Sequence, residues 1–164
     1  MPPGVYQRKC RPPAERFWEK VDKTGDCWLW LGSTGATGGY GTFNLGNNKF
    51  ISAHRFAYEA EHGPVPPGQY LDHRVTCPKH CCNPAHLRLV SNKQNVENHT
   101  GARRNSRSGV RGVFWSKHRQ RWVAQVTHHG KVVYSKRFLT LAEAEAAVVA
   151  ARNCFHTHNE LDRQ

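Results

Sequence analysis

Residues 71 to 95 read LDHRVTCPKHCCNPAHLRLVSNKQN, a short window crowded with Cys, His and Asn. Cys77, Cys82 and His86 follow the spacing C-x4-C-x3-H. A structural zinc ion wants four thiolate or imidazole donors in a tetrahedron. Three are clustered here, so a fourth is expected from elsewhere. Cys27 is selected because it opens an apolar strand that can pair beneath the cluster. Cys81 and His80 inside the window, and Cys10 outside it, are its rivals. Because metal binding of this kind is folding energy, stripping the ion is expected to unfold this half of the chain.

A second chemistry sits beside the first. In Asp72-His73 an imidazole with a pKa near neutrality can serve as a general base. The adjacent carboxylate offers a hard oxygen to a divalent cation. Asn92 and Asn95, near the start of an expected helix, can add a second oxygen. Arg74 and Arg88 are solvated charges within reach of an anion, and His54 reads as structural.

Composition says what such a site would act on. The chain has 164 residues, with 24 Lys and Arg against 12 Asp and Glu, a net charge of +12. An excess of this size points to an anionic partner, nucleic acid first. Hydrophobic residues make up 38% of the chain, thin for one large core and suited to small stapled domains. No apolar run approaches the roughly 20 residues that span a bilayer, and the first residues lack the apolar core of a secretory signal. The expectation is an intracellular protein with no membrane partner, whose six Cys are ligands or buried thiols rather than disulfides.

The elements that must position these residues can be read in outline. Residues 1–14 are Pro- and Arg-rich and are expected to lie loosely. A short helix over 14–21 places Phe17, Trp18 and Val21 on one face. Cys27 to Trp30 is an apolar strand. Tyr40 to Asn44 and Lys49 to Ser52 form a hairpin around Gly46-Asn47-Asn48, and 53–62 is a helix stopped by Gly63-Pro64. GARRNSRSG, residues 101–109, has almost no apolar content and reads as flexible, and a basic linker is placed over 101–108. Then 110–116, 121–127 and 131–138 are strands, with a tight turn at His129-Gly130, and Thr140 with Glu143 caps a final Ala-rich helix. The fold class is α+β: a zinc-stapled domain over 1–100, the linker, and a three-stranded antiparallel sheet with one helix over 109–164.

The order DH, C-x4-CNP-x-HL, V-S-x-x-x-N resembles the HNH nucleases of the His-Me finger (ββα-metal) superfamily. The upstream segments RFWEKVDKTGDCWLW, GGYGTF and AHRFAYE are similar to a phage- and bacterial-type branch of it. The resemblance covers roughly residues 16–100. It implies a DNA endonuclease in which His73 is the general base. Asp72 and Asn95 hold a catalytic divalent ion, Mg²⁺ or another, and Asn83 shapes the loop that orients the base. The zinc, on Cys27, Cys77, Cys82 and His86, is structural. The paired Cys81-Cys82 departs from the single Cys usual at that place.

The segment from Ser108 to Arg152 resembles the DNA-binding domain of plant ethylene-response (APETALA-type) factors, copies of which occur fused to HNH nucleases. The matching pieces are VRGV, RWVAQV, a basic third strand ending in Phe, and T-x-x-E-A before the helix. The resemblance implies a sheet laid in the major groove of double-stranded DNA. Arg111, Trp115, Lys117, Arg119, Arg121, Gln125, Thr127 and Lys136 are the expected DNA face, with Trp122, Val126, Val133 and Phe138 as core. The whole then reads as a metal-dependent endonuclease of homing, restriction or other phage type, dimeric if both strands are cut. The alternative is a zinc-containing DNA-binding regulator without catalysis.

Overall fold

The computed structural model describes residues 11–35, 38–74, 76–98 and 101–163. The expectation for the extreme N-terminus, and Cys10 as a ligand, lie outside these residues. The chain forms two compact units, Met1–Leu89 and Val90–Gln164.

In the first unit, helix α1 (Pro13–Trp18) buries Phe17. Val21, expected on that helix, instead pairs with Trp30, joining β1 (Val21–Asp22) to β2 (Leu29–Trp30). A β-branched residue just before the Thr24-Gly25-Asp26 turn gains more from the strand pairing than from another helical turn. β3 (Thr42–Gly46) and β4 (Lys49–Ser52) form the expected hairpin. Its turn residues Asn47 and Asn48 both have φ above +45°, at 50° and 57°, as a tight hairpin turn demands. Helix α2 (Ala53–His62) ends at Gly63, whose φ is 81°. The core is aromatic: Phe17, Trp30 and Phe43 with Ala53, Ala57 and Cys82. Phe17 lies 5.1 Å from both the Trp30 and Phe43 rings. Gly41 is required here, since a Cβ would stand 2.5 Å from Trp30 Cδ1. β5 (Gln69–His73) and β6 (Leu87–Ser91) make a separate two-stranded sheet.

In the second unit, the six-residue helix α3 (Asn92–Glu97) follows β6 directly and starts with a capping box between Ser91 and Gln94. β7 (Val113–Ser116), β8 (Arg121–His128) and β9 (Lys131–Phe138) form an antiparallel sheet in the order β7-β8-β9. Helix α4 (Leu141–Phe155) has the expected capping box of Thr140 and Glu143. Ala144, Val148 and Ala151 of α4 pack on Val113, Ala124 and Val126. β7 begins at Val113 rather than 110, because Gly112 bends the chain at φ 82°.

The division between units falls at residue 90, not within 101–108. Glu97 and Arg111, which flank the expected linker, are tied to each other's segments: Arg111 donates to the Val96 and Glu97 carbonyls at 2.8 and 2.9 Å. Ser108, inside that linker, is buried and donates to the Val113 carbonyl. A stretch read as flexible from its composition is thus held by side-chain bonds.

Strand register also revises the expected DNA face. Residues opposite each other in an antiparallel pair share a face. Trp115 opposes Trp122, and Lys136 opposes Ala124, so both lie on the side that carries the α4 core. Trp115 packs edge-on to Trp122 at 5.1 Å. The other face carries Phe114, Arg121, Gln125, Thr127 and Arg137, the last not expected there. Trp122, Val126 and Phe138 do join the core, but Val133 does not. A register shift pairs Val126 with Tyr134 and Thr127 with Val132, which leaves Val133 at the bulge, 37% exposed, and gives its core place to Tyr134.

Gly112 is the position where this packing is least forgiving. A Cβ there would meet the Gln125 carbonyl at 2.8 Å and Val148 Cγ2 at 2.9 Å, on a backbone that already favours glycine. Gly112→Ala is expected to destabilise the second unit by about 2 kcal/mol or more, read as a lowered melting temperature.

Candidate metal centre and active site

β2 and the 80–82 segment run side by side. Trp30 N donates to the His80 carbonyl, Cys82 N to the Trp28 carbonyl, and Leu29 bridges Cys81. This pairing carries Cys27 to the cluster, as expected from its place before the strand. The donor atoms of Cys27, Cys77, Cys81 and His86 all lie within 4.8 Å of one another. Cys27 Sγ is 3.8 Å from Cys77 Sγ and 3.6 Å from His86 Nδ1. Cys77 Sγ and Cys81 Sγ are 3.3 and 3.7 Å from the same nitrogen. A tetrahedral zinc ion with one nitrogen and three sulfur ligands would set edges of about 3.8 Å between sulfurs and about 3.5 Å from sulfur to nitrogen. The donor set and its spacing therefore fit such an ion.

Cys82, expected as a ligand, is replaced by Cys81. Neighbouring residues in extended chain point to opposite sides. Cys81 turns to the cluster, and Cys82 is wholly buried in the aromatic core, where burial pushes its thiol up to about 12. The ligand spacing is therefore C-x3-C-x4-H. Burial first, and then the Cys27 and Cys81 sulfurs, push Cys77 up to about 12 as well. Thiols packed this closely need a cation to ionise together.

The surroundings hold the cluster in place. His86 Nε2 lies 3.2 Å from an Asp26 carboxylate oxygen, which fixes its ring with Nδ1 toward the sulfurs. Asn83 accepts from Ala85 N at 3.0 Å and donates to the Asp26 carbonyl at 2.8 Å. It therefore caps the short 3-10 turn Pro84–His86 and ties it to the Asp26 loop.

Asp72 and His73 end β5. His73 is only 8% exposed, and its Nε2 lies 2.9 Å from the Cys81 carbonyl. A carbonyl can only accept, so Nε2 carries the proton and Nδ1 the lone pair. Burial lowers the His73 pKa, while the Cys81 carbonyl and Asp72 oppose it, so the ring is neutral at pH 7. The Arg88 guanidinium on β6 pairs with Asp72, Nη2 to Oδ2 at 3.0 Å.

Two side chains not expected in the site also stand against His73. The His54 ring lies 4.9 Å away, and burial, with His73 and Arg55, lowers its pKa to about 4. The Tyr40 ring lies 5.9 Å from His73 and 5.4 Å from His54. Burial and then Asp72 raise the Tyr40 phenol, which stays protonated as a donor. The sequence marked Tyr40 only as the first residue of a hairpin strand, which in fact begins at Thr42, and His54 only as a structural residue. The Asp72–Arg88 pair becomes visible only once β5 and β6 are paired.

Asn95 lies half-buried on α3, in the second unit. Lys117 and Arg119 sit in the exposed turn between β7 and β8. Arg121 is exposed at the start of β8, and its guanidinium donates to the Gln120 carbonyl. Arg111, expected to face DNA, turns its guanidinium to the last carbonyls of α3.

Residues 52–97 match the family model described as HNH endonuclease. The chain is 36% identical over 105 residues to Protein 3.8 of Escherichia phage T7, which covers 63% of this chain and 83% of that protein. It is 39% identical over 72 residues to Protein 7.7 of the same phage, 44% of this chain and 53% of that protein. It is 30% identical over 56 residues to an uncharacterised gene 5.3 protein of Enterobacteria phage T3, 34% of this chain and 54% of that protein. No solved structure matches. Among the described residues no helix is long and apolar enough to cross a membrane.

The two adjacent cysteines give a direct check of the metal centre. Purified protein is expected to hold one zinc ion per chain, measured by elemental analysis. Cys81→Ser should lose that zinc, and Cys82→Ser should keep it while lowering the melting temperature.

Proposed function

We propose, for a chain that belongs to the family of phage T7 Protein 3.8 and carries an HNH endonuclease domain, that it is a metal-dependent DNA endonuclease with His73 as its general base. The observation that carries this reading is the His73 Nε2 bond to the Cys81 carbonyl, which leaves Nδ1 able to take a proton. Neutral at pH 7 and nearly buried, His73 is ready to deprotonate a water aimed at a phosphodiester. Zinc on Cys27, Cys77, Cys81 and His86 is the structural ion of this reading.

Asp72 and Asn95 are assigned to the catalytic divalent cation, Mg²⁺ or another. One carboxylate and one amide oxygen make a sparse set, which suits Mg²⁺ because that ion keeps waters and takes phosphate oxygens from the substrate. When bound, the cation supplies charge stabilisation at the phosphate and at the leaving 3′ oxygen. Arg88 holds the Asp72 carboxylate on the paired strand. The Tyr40 hydroxyl, kept protonated, is a hydrogen-bond donor suited to a phosphate oxygen.

The second unit is the reader in this proposal, with the APETALA-type likeness as support. Arg121, Gln125, Thr127 and Arg137 share the sheet face away from α4. Arg and Gln carry the donors that guanine and adenine edges accept in a major groove. Lys117 and Arg119 in the exposed turn suit phosphate contacts. One active site per chain cuts one strand at a time, so a double-strand break takes a homodimer or two events. A DNA-binding regulator without catalysis is the second reading, and the engagement of Asp72 by Arg88 is the observation that favours it.

Supercoiled plasmid with Mg²⁺ separates the two. The zinc-loaded native protein should nick or linearise it, and His73→Ala at equal zinc content should lose at least about 100-fold in rate. Native protein that binds the plasmid and leaves it intact would point to the regulator.

A further inference from the structure

Helix α3 is held in an unusual way for so short an element. A six-residue helix is marginal by itself and ordinarily depends on an apolar face. The one residue that α3 buries is a carboxylate, Glu97, 5% exposed, while Val96 beside it is 51% exposed. What fixes α3 is therefore a set of directional polar bonds.

These bonds come from separate segments of the second unit. Glu97 Oε2 accepts from Thr157 N at 3.1 Å and from Thr157 Oγ1 at 3.0 Å, just beyond α4. Glu97 Oε1 pairs with Lys93 Nζ at 2.9 Å; His128 Nδ1, at the end of β8, lies 3.3 Å from the same oxygen without making a hydrogen bond to it. Burial alone would raise this carboxyl, but Lys93 and Thr157 outweigh it and hold it at about 2. Arg111, in the turn before β7, binds the Val96 and Glu97 carbonyls at the C-terminal end of α3. The Arg111 carbonyl in turn accepts from Arg152 of α4, itself paired with Asp162.

Apolar packing resists separation but tolerates sliding and rotation; bidentate and charged hydrogen bonds set an orientation. Asn95 directly precedes Val96 on α3, so the backbone that carries it is held by the same bonds. We propose that Arg111 and Glu97 are positioning residues that lock Asn95 to the DNA-reading sheet, coupling the register of that sheet on a duplex to the placement of a catalytic metal ligand. This rests on the reading of Asn95 as a ligand of the catalytic cation. It gives Arg111 a role inside the protein in place of a DNA contact.

The test uses the zinc-loaded full chain, with Arg111→Ala, Arg111→Lys, Glu97→Ala and Thr157→Val. Rates of plasmid nicking are measured against DNA and Mg²⁺ concentration, below the melting temperature of each variant. Plasmid binding is measured in Ca²⁺. Mn²⁺ binding to the protein–plasmid complex is followed by electron paramagnetic resonance. Altering an outer partner of a metal ligand typically costs about 10- to 100-fold in metal affinity or activity. The expected result for Arg111→Ala and Glu97→Ala is a loss of that size in kcat, with a matching rise in the Mg²⁺ and Mn²⁺ needed. KM and binding of plasmid should stay within about twofold. Arg111→Lys, which keeps one donor, should recover part of the loss. Thr157→Val, which removes one bond, gives a smaller loss of the same kind and decides the matter if the alanine variants do not fold. Folded variants with native metal dependence overturn the proposal, as does a loss confined to plasmid binding. A native protein that binds plasmid without nicking it would instead sink the nuclease reading.

Discussion

Residue Cys81 makes two contacts at once. Its sulfur faces His86 in the Cys/His cluster, and its carbonyl accepts the Nε2 proton of His73. Much of the first unit exists to make this possible. The aromatic core around Phe17 and Trp30 fixes β2, the pairing of β2 with residues 80–82 fixes the loop, and the loop fixes both the sulfur and the carbonyl. The burial of Cys82 in that core is part of the same arrangement, because it forces its neighbour outward to the cluster. A small domain with little apolar content can hold a buried imidazole in one tautomer this way, by making a metal loop do the work of a larger core.

The charges follow the same logic. Near His73 burial keeps the titratable groups uncharged: His54 is lowered to about 4, the His73 ring is lowered too, and the Tyr40 phenol is raised. Asp72 is held by Arg88 across the β5–β6 sheet. In the second unit Arg121 and Arg137 lie on the sheet face away from α4, and Lys117 and Arg119 are exposed in the β7–β8 turn. Its buried charges, Glu97 and Arg152, are satisfied internally, Arg152 by the half-buried Asp162. Net charge gives the class of partner; burial and pairing decide which charges remain to meet it.

Three members of the Cys/His cluster were legible in the sequence: Cys77 and His86 by residue type and short spacing, and Cys27 by its place at the head of an apolar segment. The helix cap at Thr140 and the turn at His129-Gly130 were legible too, since each is a local event. What was not legible depends on register and on long-range pairing. The choice of Cys81 over Cys82 turns on which side of an extended strand each faces. The places of Trp115, Lys136 and Val133 turn on strand alternation and on a bulge in β9 that no local signal marks. Ser108 looked like part of a basic linker and Arg111 like a DNA contact because composition does not reveal that Val113, Val96 and Glu97 supply their acceptors.

The tautomer of His73 tests the account most directly. Long-range nitrogen–proton NMR correlation on zinc-loaded, ¹⁵N-labelled protein at pH 7 reads it without reference to any reaction. A neutral ring with the proton on Nε2 and the lone pair on Nδ1 is the predicted result. A proton on Nδ1, or a ring that exchanges freely between the two forms, would mean that the Cys81 carbonyl does not hold this imidazole and would remove the support for the proposal that His73 is a base.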